Sequence, residues 1–151
     1  MAYRRKHFAW LAFAAAAVSP AANAALGGDI ASIAQDRIQA KASMRSQQAQ
    51  GYSAHELLTQ SGTTVREYAG ADGKVFAVTW SGPLMPDLRQ LLGPYFPQYI
   101  AETGERQGGH SRRSVRQGDL VVHSGGRMRA FSGTAYLESA IPNGVQIDAL
   151  R

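Results

Sequence analysis

The chain has 151 residues, 44% of them hydrophobic, no cysteine and a formal net charge of +5. The missing cysteine excludes disulfides, thiolate metal ligands, a thiol nucleophile and a lipid-modified terminal cysteine. Three of the 16 basic residues are Arg4, Arg5 and Lys6, so residues 25–151 carry 13 basic and 11 acidic side chains. That net +2 lacks the concentrated basic face of a nucleic-acid partner.

Residues 1–24 have the three-part build of a secretory signal. Arg4, Arg5 and Lys6 precede an apolar run from Phe8 to Val18. Ser19 and Pro20 break that run, and Ala22-Asn23-Ala24 places small residues where a signal peptidase needs them. The run is about half the length of a membrane span, which takes about 20 residues. The expected product is periplasmic or secreted, cleaved after Ala24, with no membrane span left.

Ala25-Leu26-Gly27-Gly28 reads as a flexible opening. Asp29 then suits a helix start, where its carboxylate accepts from a free first-turn N–H. Ile30, Ile33, Ala34 and Ile38 follow at helical spacing and Gly51 is a natural stop, so the pattern predicts an amphipathic helix over 29–48. Residues 52–60 (YSAHELLTQ) are read as a strand that pairs with 63–69 through a Ser-Gly turn. Gly70 to Gly73 is a second turn, leading into KVFAVTWS. Strict alternation along that strand puts Phe76, Val78 and Trp80 on the core face and Val75, Ala77 and Thr79 on a mildly apolar back.

Pro86 and Asp87 open a helix whose Leu84, Leu88, Leu91 and Leu92 share one side, with Gly93 as its cap. Pro94 starts a second helical run carrying Tyr95, Phe96, Tyr99 and Ile100, with a kink near Gly93-Pro94. Residues 103–118 hold four glycines and four arginines and read as a mobile loop. Residues 119–124 form a short strand, Gly125-Gly126 a hairpin turn, and 127–131 the return. A bulge at Ser132-Gly133 precedes 134–137. The tail turns at Pro142-Asn143-Gly144.

Catalytic and cofactor signatures are absent from this sequence. It has no G-x-S-x-G or S-x-x-K, and its paired glycines sit outside any phosphate-loop context. His55, His110 and His123 lack metal-ligand spacing. Asp119, His123 and Ser124 form the nearest thing to a triad, but an extended strand holds Asp119 and His123 about 13 Å apart. The aromatic residues between Tyr68 and Tyr99 are read as core between sheet and helix rather than a ligand groove. No catalytic residue, metal site or cofactor is assigned. The candidate partner contacts are Arg112, Arg113, Arg116, His123, Arg127 and Arg129, flanking the second hairpin.

Four strings carry a family resemblance: G-T-T-V-R-E-Y, G-K-V-F-A-V-T-W-S-G-P, P-D-L-R-Q-L-L-G-P-Y-F and L-V-V-H-S-G-G-R-M-R-A-F-S-G-T-A-Y-L. Together with A-L-G-G after the signal, they resemble the DUF2844 family of small exported bacterial proteins of unknown function. The resemblance implies export and a compact domain, and no activity. The family pattern has His before Met-Arg-Ala-Phe, where this chain has Arg127.

The expected fold is α+β. A small antiparallel sheet of two hairpins packs against one or two short helices, preceded by the N-terminal amphipathic helix. Residues 1–24 are the signal, 25–51 the helix and linker, and 52–151 a single α+β domain. The functional reading is an exported, non-enzymatic module that binds an envelope protein or peptide. A PepSY-like inhibitory module is a narrower version. An envelope hydrolase is the competing reading, and it requires at least two of His55, Asp87, Asp119 and His123 to meet in one concave site.

Overall fold

The computed structural model describes residues 25–31, 43–103 and 113–150. Seven strands form one sheet: β1 (Ser43–Ala49), β2 (Tyr52–Leu58), β3 (Thr64–Gly70), β4 (Val75–Gly82), β5 (Arg113–Gln117), β6 (Leu120–Arg127) and β7 (Ala130–Leu137). All neighbours are antiparallel, in the order β1-β2-β3-β4-β7-β6-β5. The chain meanders from β1 to β4 and then crosses to the far edge through two short helices, α1 (Leu88–Leu92) and α2 (Phe96–Thr103). It returns through β5 and β6, so that β7 docks against β4.

This sheet corrects the α+β expectation. Among the described residues seven strands dominate, and the α-helical content of the elements is one crossover segment broken by a 3-10 turn at Gly93–Tyr95, with two further 3-10 turns at Glu138–Ala140 and Ile147–Ala149 in the tail. The expected helix over 29–48 is overturned at its C-terminal end, because Ser43–Ala49 is a strand. Asp29 does accept a hydrogen bond from the Ala31 N–H at 3.0 Å, but residues 32–42 lie outside the described residues. Gly51 (φ +87) closes a β-hairpin onto β2 instead of ending a helix. Every residue of β1 is exposed, so no buried stripe marks it as a strand in the sequence.

The opening Ala25-Leu26 is buried rather than flexible. The Leu26 N–H donates to the Leu91 carbonyl, and Gly27 and Gly28 exchange backbone bonds with Val75. This strap ties the helical crossover to β4. Asp87 caps α1, accepting from the N–H groups of Arg89 and Gln90. Leu84 departs from its expected place on the helix face: it is 57% exposed and precedes the helix.

Side-chain alternation divides the sheet into two faces. On the helical face, Leu57, Val65, Val78, Trp80, Val122, Ala135 and Leu137 pack against Leu91, Leu92 and Tyr99. On the opposite face, Tyr68, Phe76 and Ala77 pack under the tail residues Ile141, Val145, Ile147 and Leu150. Phe76 therefore leaves the face that strict alternation assigns it. The register skips between Tyr68↔Ala77 and Ala69↔Val75, and Phe76 is the extra residue. A bulge of this kind shifts the alternation by one, so Val75 joins Val78 and Trp80 while Phe76 turns to the tail side.

The second half of the sheet corrects three further expectations. Gly125 and Gly126 lie inside the ladder, opposite Ser132 and Phe131, and the turn is Met128-Arg129, with Arg129 at φ +64. Residues 132–133 continue β7 without a bulge. The loop expected over 103–118 is replaced by strand β5 from Arg113 to Gln117, and residues 104–112 lie outside the described residues.

Candidate functional site

The tail covers only part of its face. Beside it runs a line of polar side chains that crosses the whole sheet in register. Arg45, Glu56 and Arg66 are successive cross-strand partners on β1, β2 and β3. The line continues through Thr79 and Thr134 to His123 and Ser114, on β4, β7, β6 and β5. A parallel row of Thr64, Ser81, Ser132 and Gly125 flanks it. The central members are each two residues from an apolar side chain of the same face on their own strand: Thr79 from Ala77, Thr134 from Tyr136 and Arg66 from Tyr68. The face is thus divided along the strands into an apolar half under the tail and a polar half in the open.

The polar half is concave. A groove of about 910 Å³ is lined by Thr64, Arg66, Thr79 and Ser81 on one side, and by Arg113, Ser114, His123, Arg127, Ser132 and Thr134 on the other. Leu150 borders it where the tail ends. A smaller recess of about 160 Å³ adjoins it, sharing Arg66 and Leu150 and lined by Arg45, Glu56 and Tyr68. Among the described residues, no carboxylate lines the larger groove.

Three features fix its floor. Trp80 is 2% exposed, and its indole lies over Gly133, where a Cβ would come within 2.1 Å of the ring. Glycine at 133 is what lets that ring pass beneath β7 on the helical side. Arg66 Nε donates to Glu56 Oε2 at 2.6 Å, which occupies one of its five donors and leaves the terminal amino groups. Ser114 Oγ meets His123 Nδ1 at 3.0 Å and orients the imidazole.

The partner contacts expected from sequence are distributed differently. Arg113, His123 and Arg127 line the groove. Arg116 pairs with Glu138 at 2.8 Å, Arg129 forms the β6–β7 turn, and Arg112 lies outside the described residues. Arg66 and the hydroxyl rows were not anticipated. Their signal is in the sequence as Thr64/Arg66, Thr79/Ser81 and Ser132/Thr134, pairs at two-residue spacing, but the register that aligns them comes from distant turns.

The four residues required by the hydrolase reading do not converge. Asp87 caps α1. Asp119 accepts from the Ser139 N–H and Oγ, each at 2.7 Å. His55 is 8% exposed on the helical face, between Ser46 on Nδ1 (2.9 Å) and Ser53 on Nε2 (3.1 Å), cross-strand from the buried Glu67. Burial holds its pKa below the ordinary histidine value, as burial raises that of the Tyr68 phenol under the tail. Of the four, only His123 reaches the groove. Among the described residues, no three His, Asp or Glu side chains come together to hold a metal ion.

No curated protein and no solved structure matches the chain. The family of proteins of unknown function termed DUF2844 matches residues 22–150, and the chain belongs to that family.

Proposed function

We propose that this protein is an exported binding module that holds an anionic ligand on the open half of its sheet. The observation that carries the reading is the groove itself: Arg66, Arg127 and His123 face a concave surface that no carboxylate lines among the described residues. Guanidinium groups bind carboxylate or phosphate through paired N–H donors, and the flanking hydroxyls supply further donors. An excess of positive charge, with Glu56 pairing only Nε of Arg66, raises the local concentration of anions. The signal-like residues 1–24 support export, and Leu26, two residues beyond the expected cleavage site, is fully buried in the body of the fold.

Two measurements test this. Calorimetric titration of the protein with short polyanions is expected to show binding that weakens as salt rises from 0.05 to 0.5 M, because the contacts are solvent-facing ion pairs. Binding that is indifferent to salt and to Arg127→Gln overturns the groove as the site. Intact-mass analysis of the exported protein is expected to give a chain beginning at Ala25, and retention of residues 1–24 overturns the export reading.

A further inference from the structure

We propose that the anion held in the groove is a segment of an acidic oligosaccharide, a chain of hydroxyl-rich units with carboxylates spaced along it. The inference rests on the anion-binding reading above and names the ligand class. Three observations select it.

The first is the spacing of the charges. Arg66 stands on β3 and Arg127 on β6, three strand steps apart in the order β3-β4-β7-β6. Three steps of about 4.8 Å, and the four residues of about 3.3 Å by which Arg127 lies beyond His123 in the Arg66 row, put the two anchor points ~19 Å apart. A single phosphate or carboxylate cannot bridge them, whereas a linear chain bearing an acid on successive units can. The second is what lies between them. Ser81, Ser132 and Thr134 lie open in the interval, in two registered rows with the buried Thr79. A hydroxyl both donates and accepts. Surfaces meant only for phosphate or sulfate need donors alone, while alternating donor and acceptor capacity matches a ligand that itself carries hydroxyls. The third is the lack of an exposed aromatic ring among the lining residues, Trp80 being buried beneath β7. Single-stranded nucleic acid is held by base stacking on such rings, and this groove offers no platform for it. The volume of about 910 Å³ stands at the upper end of the range for small-molecule sites, roughly 300–1,000 Å³, as suits an extended oligomer.

The chain lies across the strands. Arg66 and Arg127 each clamp a carboxylate, the hydroxyl rows bond the sugar hydroxyls between them, and His123, oriented by Ser114, donates at the β5–β6 end.

The test is calorimetric titration of the purified full chain with three probes: tetragalacturonic acid, neutral maltotetraose and inorganic tripolyphosphate. Tetragalacturonic acid is expected to bind at least tenfold more tightly than either of the others. Arg127→Gln is expected to weaken it by about tenfold, and Ser132→Ala with Thr134→Val by about fivefold, with the thermal melts of both variants serving as controls for folding. Tripolyphosphate binding as tightly as the uronide, and unaffected by the hydroxyl substitutions, overturns the oligosaccharide inference and leaves the anion site standing. Maltotetraose binding equally well overturns the role given to the arginines. Failure of both anions to bind overturns the inference together with the reading it rests on.

Discussion

The two faces of the sheet are made by the same strands and have opposite fates. The helical face is closed: Val78, Trp80, Leu120, Val122, Ala135 and Leu137 are each at most 4% exposed beneath the crossover helices and the Ala25-Leu26 strap. The other face is sealed only where the tail lies on Tyr68, Phe76 and Ala77, and beyond that line its side chains turn polar. Because successive residues point to opposite sides, Val78 and Thr79, or Ala135 and Thr134, can serve stability and recognition separately while adjacent in the chain. The groove proposed to bind lies on the side away from the helical core, so substitutions should separate stability from that proposed binding.

The largest expected effect is at the closed face. Trp80→Ala should cost about 3–5 kcal/mol, the range for truncating a large buried aromatic, read as a shift in denaturant midpoint at constant slope. A midpoint left in place would mean that the closed face does not depend on this ring. Gly133→Ala comes next, at about 1–3 kcal/mol, because its new methyl meets the indole. Combining the two should cost less than their sum, since removing the ring removes the larger part of the clash and leaves only the contact with the His123 carbonyl, and strict additivity would separate the two sites.

A smaller, pH-dependent effect follows from His55. Its folded-state pKa is held below the ordinary 6.5 by burial. The unfolded chain thus takes up a proton that the folded chain refuses, and stability present above pH 6.5 is lost as the pH falls below it. Glu67 is the titratable group facing His55 from β3, so the informative quantity is the difference between the wild type and His55→Gln in melts from pH 8 to pH 5. Parallel curves would remove His55 from the linkage. The smallest expected change is at the open face: Arg127→Gln should leave stability within about 0.5 kcal/mol while weakening anion binding. A large loss of stability there would make Arg127 part of the closed architecture and end the division between faces.

Much of the central hairpin was legible from residues alone. The Gly70–Gly73 turn, the strand expected over 52–60 and found at Tyr52–Leu58, the Asp87 cap and the kink at Gly93-Pro94 each have a local cause that a single window displays. The misreadings share another cause. β1 is exposed along its length, so it has no period to detect, and Gly51 serves a helix end and a hairpin turn equally well. Gly125-Gly126 has the composition of a turn, yet the ladder continues through it to Met128-Arg129. The Phe76 face was lost to a one-residue bulge, since a register shift leaves no mark in the alternation before it.

The site was legible only in part. His123, Arg113 and Arg127 stood out as polar residues around one hairpin. Arg66 and Thr79, more than forty residues away, did not, because nothing local relates them to that hairpin.

The sequence by itself determined the two-residue alternation, most of the turns, the helix cap and the family. Those depend on backbone preferences and on side chains within a few positions of each other. Only the tertiary structure decided that β7 would dock on β4, that the tail would cover one half of a face, and that Arg66, Thr79, Thr134 and His123 would fall on one line. That alignment is set by registers accumulated across strands, and each register depends on turns, a bulge and a crossover whose effects add only in three dimensions.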